Sequence, residues 1–197
     1  MSQAMADRGA TVVVLAGRRV DAENSETPRF PLAHVNAVKA RIRELFQSVN
    51  PEALVCSAAC GADLLALDVA RALQIPAYIV LPFDRAQFRE TSVVDRPGDW
   101  GLLYDDVLDD AERAGRLTIM EHTEGDDNDL YLEAVTAMLD KTDDVASRTA
   151  DGQPAAAPGP VTAVAVWDGQ SRGEGDVTEF YINEAKQRGY SFVSIDT

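Results

Sequence analysis

Short apolar runs recur along the first part of the chain, each followed by a turn and a longer segment with a helical pattern. The runs at 11–16, 53–56 and 77–81 are mostly β-branched or small apolar residues without polar alternation. Such runs predict strands covered on both faces, as in a parallel sheet. Between them, apolar positions recur at helical spacing in 33–48 and 62–73, which predicts amphipathic helices. Right-handed crossovers then place the strands in one parallel sheet.

The rest of the chain is less regular and ends in another strand–helix–strand pattern. Residues 145–160 are rich in Ala, Pro, Gly, Ser and Thr, which predicts a flexible insert. The segment after this insert is too short to bury a core alone, so it must join the same sheet. We therefore expect residues 1–197 to form a single α/β domain, a Rossmann-like three-layer sandwich with a mostly parallel central sheet. The predicted elements are helices at 85–89 and 100–114, a strand at 117–120, a helix from the acidic turn at 124–128 to about 142, a strand at 161–166, a helix at 176–188 and a strand at 191–195.

The chain is strongly acidic, because its 197 residues include 18 Lys and Arg against 33 Asp and Glu, a net charge of −15. This balance argues against a nucleic-acid polymer as partner, since affinity for phosphate backbones comes from Lys and Arg. It leaves room for a small anionic ligand held by backbone amides and one or two arginines. No run of 18 apolar residues and no signal-peptide pattern is present, so we expect a cytoplasmic protein that does not enter a membrane.

The sequence carries no pattern for a metal or a resident cofactor. Cys56 and Cys60 form neither a C-x-x-C pair nor part of a Cys/His quartet, and we expect them to be small buried apolar residues. The glycine patterns of nicotinamide-dinucleotide sites and of P-loops are both absent. The acidic run at 126–129 lacks the full spacing of a calcium loop. We therefore expect no metal and no cofactor.

Three predicted strand ends run directly into glycine-containing turns, at 17–19, 57–63 and 168–178. In an open parallel sheet such turns gather at the carboxyl edge, where ligands bind. Glycines allow close approach of the backbone, and the amides at a helix N-terminus favour a phosphate. Two arginines of the first turn are candidate clamps for that phosphate. The candidate ligand-binding residues are Gly17, Arg18, Arg19, Ser57, Ala59, Gly61, Ala62, Asp63, Pro82, Phe83, Asp168, Gly173, Gly175, Asp176 and Thr178.

Several of these positions also have a structural interpretation, and the sequence leaves both open. Asp63 and Asp176 fit the first turn or N-cap of a helix, where a carboxylate complements the dipole. Asp168 fits a turn with the following glycine, and the two arginines fit a solvated surface. Phe88 is a candidate for stacking on a base and equally for core packing. If the turn at 57–63 holds a ligand, a bulky residue at Gly61 is expected to abolish binding and leave the fold intact.

The order of these turns resembles the SLOG superfamily over nearly the whole chain, apart from the insert. That superfamily includes the LOG-type phosphoribohydrolases and the DNA-processing protein A fold. The resemblance implies a Rossmann-like fold with a pocket for a nucleotide or nucleotide-derived signal. Members of that superfamily occur as sensor domains in bacterial nucleotide-signalling and antiphage defence systems, and as enzymes that cleave N-glycosidic bonds. The motifs that carry the resemblance are Gly17-Arg-Arg-x-Asp21, Ser57-Ala-Ala-Cys-Gly-Ala-Asp-Leu-Leu65, Leu81-Pro-Phe83 with Phe88 and Ser92-Val93, Val166-Trp-Asp-Gly169 and Gly173-x-Gly-Asp-x-Thr178.

The last glycine turn differs from that of the catalytic SLOG members. They carry Pro-Gly-Gly-x-Gly-Thr-x-x-Glu, whereas this chain has Arg172-Gly-Glu-Gly-Asp-Val-Thr-Glu179. The difference favours a sensor domain that binds a nucleotide or nucleotide derivative, with the phosphate at the carboxyl edge of the sheet. One alternative is a nucleotide N-glycosidase, a hydrolase of nucleoside monophosphates that uses Glu179 or Asp176 as its carboxylate. A ligand-free scaffold is the second, and the resemblance implies a homodimer or fusion to an effector domain.

Overall fold

The computed structural model describes residues 8–121, 127–149 and 152–197. Residues 1–7 and most of the predicted acidic turn at 124–128 lie outside the described residues. The strands are β1 (Val12–Gly17), β2 (Ala53–Cys56), β3 (Ala77–Leu81), β4 (Leu117–Ile119), β5 (Val161–Val166) and β6 (Ser191–Ile195). The α-helices are α1 (Val35–Val49), α2 (Ala62–Ala72), α3 (Arg85–Ser92), α4 (Gly101–Arg113), α5 (Asp127–Ala146) and α6 (Val177–Gln187).

The six strands form one sheet in the order β4-β3-β2-β1-β5-β6. Each neighbouring pair is parallel, which confirms the predicted α/β Rossmann-like fold. The chain moves outward from β1 to β4 and then crosses to β5, on the other side of β1. The strand order therefore reverses between β1 and β5, which opens a crevice at their carboxyl ends.

Alternate residues of the strands point to opposite faces of the sheet, and helices cover each face. Val13 and Leu15 of β1 join a core with α1, α2, α3 and α4, whereas Val12 and Val14 join a core with α5 and α6. All four side chains are inaccessible to solvent. This two-sided burial explains why the strand sequence shows no polar alternation.

The described part of the predicted insert at 145–160 includes the end of α5 and a segment that runs beside the start of β1. Val145 and Ala146 are the last residues of α5 and are buried. Beyond them, the backbone of this segment hydrogen-bonds to the residues that lead into β1, with Ala10 N–H donating to the Arg148 carbonyl at 2.8 Å. Composition pointed to weak packing, but backbone hydrogen bonds hold a segment without any need for apolar side chains.

Candidate functional site

A cavity of about 340 Å³, called here the main cavity, lies at the carboxyl edge of the sheet beside the switch between β1 and β5. Its volume is near the lower end of the roughly 300–1,000 Å³ that is usual for small-molecule sites. Its walls come from the turns after β1, β2, β3 and β5 and from one side of α5. The predicted residues that line it are Gly17, Arg18, Arg19, Ser57, Ala59, Asp63, Pro82, Gly175, Asp176 and Thr178.

Other predicted residues do not line the main cavity. Phe83 packs against the rings of Phe88 and Tyr131, each with its centroid 5.8 Å away. Glu179 accepts a hydrogen bond from the Ser171 hydroxyl at 2.6 Å and borders a separate depression. The remaining members of this group are Gly61, Ala62, Asp168 and Gly173.

Gly61 is required by the fold, which corrects the expectation that a bulky residue there leaves the fold intact. Its φ of +96° favours glycine. A Cβ at this position would lie 2.8 Å from both the Arg18 carbonyl oxygen and the Val20 backbone nitrogen. The Ala62 N–H, expected to face a phosphate, donates to that same Arg18 carbonyl at 3.2 Å. This glycine therefore lets the turn after β1 approach the start of α2.

Asp176 is the N-cap of α6 and is saturated with hydrogen bonds. Its carboxylate accepts from the Thr178 N–H at 2.9 Å, the Glu179 N–H at 3.3 Å and the Arg172 N–H at 2.7 Å. Burial raises its pKa, but the Arg18 guanidinium and these amides outweigh that effect and lower the pKa below its ordinary value. The helix amides predicted to hold a phosphate are thus satisfied by the protein itself, and Asp176 organises this edge of the site.

Arg18 is committed to an ion-pair network, although the sequence suggested a phosphate clamp. Its side chain is 2% exposed, and both terminal nitrogens donate to Asp176 at 2.8 Å. Its Nε lies 3.4 Å from Asp168, and the same carboxylate pairs with Arg29 at 2.9 Å. The guanidinium also lies 5.9 Å from the ring centre of Trp167. This network ties the turn after β1 to the turns after β5.

Asp63 is a buried carboxylic acid that lines the main cavity. It lies in the first turn of α2, is 7% exposed, and accepts a hydrogen bond from the Ala59 N–H at 3.2 Å. Burial raises its pKa to about 7, although the Ala59 amide and the charge of Arg19 act in the opposite direction. A carboxyl group with a pKa near neutrality in a cleft is a typical candidate for acid–base chemistry. The sequence placed Asp63 among the ligand-binding residues and did not single it out as catalytic.

The apolar wall of the main cavity comes largely from residues that the sequence did not point to. The Tyr131 hydroxyl lies 2.7 Å from the Ser92 hydroxyl, and its ring packs edge-on against Phe83. Tyr131 belongs to α5, which packs across β1, β2 and β3. No local pattern shows where this helix crosses the sheet. Phe88, which the sequence offered for base stacking, lines the same wall, and the lining residues that the sequence did not point to include Asn128, Tyr131, Ala134, Val135, Met138 and Arg172.

Comparisons with models of known protein families, with curated proteins and with solved structures find no match for this chain. Within the part of the chain that the structure describes, no three His, Cys, Asp or Glu residues are grouped so as to hold a metal. None of the described helices is long and apolar enough to cross a bilayer. Function must therefore be argued from the geometry and chemistry of the site.

Proposed function

We propose that the chain is a sensor domain that binds a nucleotide or nucleotide-derived small molecule in the main cavity, in keeping with its resemblance to the SLOG superfamily. The observation that carries this proposal is the chemistry of the walls. An apolar, partly aromatic wall and a cationic wall share one cavity at the switch point of a parallel sheet. A nucleotide has the same two halves, a flat base and an anionic phosphate.

The apolar wall suits a base. Tyr131, Phe88 and Met138 line it, and aromatic and thioether side chains pack well against flat heterocycles. The hydroxyls of Tyr131 and Ser92 lie at the same wall and share one hydrogen bond, so both can still accept a hydrogen bond from a polar edge of the base and one of them can still donate.

The cationic wall suits a phosphate. Arg19 and Arg172 line the main cavity, and guanidinium groups form strong bidentate hydrogen bonds with phosphate oxygens. Because the chain as a whole carries a net charge of −15, an anion needs such a local positive patch to overcome the general repulsion. We further propose that the domain works in the cytoplasm and passes its signal on as a homodimer or through an effector domain.

A ligand panel tests this proposal. Thermal shift with nucleosides, mononucleotides, dinucleotides and cyclic oligonucleotides should reveal one stabilising class, because a ligand at 100 times its Kd adds about 2.7 kcal/mol. Ala134→Leu, which places a larger side chain at the main cavity, should abolish that shift. The matched control is Ala72→Leu, because Ala72 is exposed at the end of α2. A panel without any stabilising compound would favour a ligand-free scaffold.

The second candidate function is nucleotide N-glycosidase activity, and Asp63 is the observation that favours it. A protonated Asp63 would donate its proton to the base as the N-glycosidic bond breaks, and the resulting carboxylate would stabilise the ribosyl cation. Water would then add to the cation and return a proton to Asp63. In this hypothesis Asp63 is the catalytic carboxylate instead of Asp176 or Glu179. Asp176 is saturated with hydrogen bonds, and Glu179 lies outside the main cavity.

Product analysis separates binding from cleavage. The same panel is incubated with the protein, and free base is measured by chromatography with mass detection. An enzyme should release free base, Asp63→Asn should abolish the release, and Glu179→Gln should retain it. Intact compounds throughout would leave binding as the function, and release that persists in Asp63→Asn would exclude Asp63 as the catalytic carboxylate.

A further inference from the structure

A second cavity of about 260 Å³, called here the arginine cavity, is lined by four arginines. Arg19 follows β1, Arg29 ends the loop before α1, Arg96 follows α3, and Arg172 belongs to the turn after β5. Arg19 and Arg172 line the main cavity as well, so the two cavities meet at these side chains. Three separate segments of a strongly acidic chain thus bring four cations to one place, because Arg19 and Arg29 both belong to the connection between β1 and α1.

The carboxylates around this cavity only partly balance its charge. Asp95 forms ion pairs with both Arg19 and Arg96. Asp168 forms ion pairs with Arg29 and with Arg18. A further carboxylate, Asp21, lines the cavity and accepts the backbone N–H groups of Arg29 and Phe30 at 2.9 and 2.8 Å. Asp21 therefore shapes the loop that carries Arg29.

Two arginines at the junction of the cavities lack partners for part of their hydrogen-bonding capacity. The Arg172 side chain makes no hydrogen bond or ion pair with any residue that the structure describes. Arg19 Nε is buried and has no hydrogen-bond acceptor among the residues with a described structure, and its neighbour Cys60 offers only a thiol, which accepts weakly. An unpaired buried donor costs free energy, and an anion at this point would satisfy it.

The electrostatics of Arg172 agree with this geometry. Partial burial and the like charges of Arg18, Arg29 and Arg96 lower its pKa, with Asp176 acting in the opposite direction. Arg172 is therefore held among cations without an ion-pair partner of its own in the described part of the chain, an arrangement typical of a site for an anionic ligand.

We propose that the arginine cavity holds a phosphate chain, so that the ligand of the main cavity is a nucleotide with at least two phosphates. This inference rests on the proposed function for the base, while its phosphate part can be tested alone. The first phosphate would lie at the junction, against Arg19 and Arg172, which line both cavities. The next would reach Arg29 and Arg96, which line the arginine cavity but not the main one.

The neighbouring groups favour phosphate over a carboxylate ligand. Four arginines line the arginine cavity together with Thr27 and with Ser25, whose hydroxyl donates to the Thr27 carbonyl. Several guanidinium groups around one cavity match the several oxygens of a phosphate chain. The alternative phosphate position, the start of α6, is already filled by the carboxylate of Asp176.

Inorganic pyrophosphate tests the phosphate part without any base. Calorimetric titration at constant ionic strength should show binding to the native protein, and both Arg172→Gln and Arg96→Gln should weaken it about tenfold or more. Arg113→Gln is the matched control, since Arg113 is exposed on α4 and pairs with Asp110. This substitution should change the affinity for pyrophosphate less than twofold. Absence of pyrophosphate binding, or binding indifferent to Arg96→Gln, would overturn the proposal.

A series of ligands with an increasing number of phosphates tests whether one ligand occupies both cavities. Adenosine, guanosine, cytidine and uridine are titrated as nucleosides, 5′-monophosphates and 5′-diphosphates. For the preferred base, affinity should rise about tenfold or more from mono- to diphosphate, and Arg96→Gln should remove that gain while sparing the monophosphate. Nucleosides that bind as tightly as diphosphates would refute the phosphate chain and keep the proposed function. Arginine-dependent binding of pyrophosphate with no nucleotide bound would refute the proposed function and keep the phosphate site.

Discussion

The buried ion pair between Arg18 and Asp176 allows a direct test of whether Asp176 stabilises the fold or acts on a ligand. We predict that Asp176→Asn lowers the free energy of unfolding by about 3 kcal/mol at pH 7. The two side chains are 2% and 1% exposed and meet at 2.8 Å, and removing one partner of such a pair costs roughly 3–5 kcal/mol. The lower end applies because Arg18 keeps Asp168 and because asparagine remains a good N-cap.

Asp176→Ala should cost about 1 kcal/mol more than Asp176→Asn, because it also removes the cap of α6. Urea denaturation measures both variants, and with a slope of about 2 kcal/mol per molar urea the asparagine variant should shift the midpoint by about 1.5 M. The matched control is Asp144→Asn. Asp144 pairs with Arg148 at 2.8 Å but is 41% exposed, so its loss should cost less than about 1 kcal/mol.

The pH dependence of this effect has a defined sign. The folded pKa of Asp176 is lowered from 3.8, so its contribution to stability is complete well above pH 4 and is lost as pH falls through the folded pKa. The difference between native protein and Asp176→Asn should therefore shrink toward pH 3. If Asp176→Asn keeps native stability at pH 7 yet abolishes ligand binding or turnover, the structural role assigned to Asp176 is wrong.

Three further predictions concern other parts of the site. Burial raises the pKa of Asp63 to about 7, so native stability should fall as pH rises from about 4 to 7. In urea denaturation, the free energy of unfolding of Asp63→Asn relative to the native protein should therefore rise by about 2–3 kcal/mol between pH 5 and 8. A difference that stays constant with pH would contradict the raised pKa. Gly61→Ala should lower the free energy of unfolding by at least about 1 kcal/mol more than Gly189→Ala does. Both glycines have positive φ, but only a Cβ at Gly61 would lie 2.8 Å from backbone atoms. Equal urea midpoints for the two variants would contradict this close approach. Arg172→Gln should leave the melting temperature unchanged or raise it, since it relieves like-charge repulsion, and a clear fall would assign Arg172 a structural role.

The strands and helices were largely predictable because they depend on local rules. The apolar run at 11–16 matches β1 within one residue, and the helix expected at 62–73 is α2 within one residue. The helix expected to end near 142 continues to Ala146, because its last residues pack against the sheet through contacts that no local pattern reveals.

The candidate site was predicted in place but not in detail. Turns after parallel strands meet at one edge whatever their side chains, so Ser57 and Gly175 do line the main cavity. The sequence predicted the roles of individual side chains within the site less well. Arg18 was expected to hold a ligand and instead pairs with Asp176, 158 residues away, and Arg172 received no role before its position between two cavities was known.

Periodicity and right-handed crossovers act over short stretches of chain, so the alternation of strands and helices, the parallel sheet and the edge at which ligands should bind follow from the order of the amino acids. Which charges pair within the protein and which face a cavity follows instead from the folded arrangement of distant segments. That choice depends on the path of α5 across the sheet and on ion pairs between distant turns. Asp63 and Asp176 are both carboxylates in a first turn or N-cap. Among the described residues, Asp63 is buried without a salt-bridge partner whereas Asp176 pairs with Arg18, and spacing along the chain does not distinguish the two carboxylates.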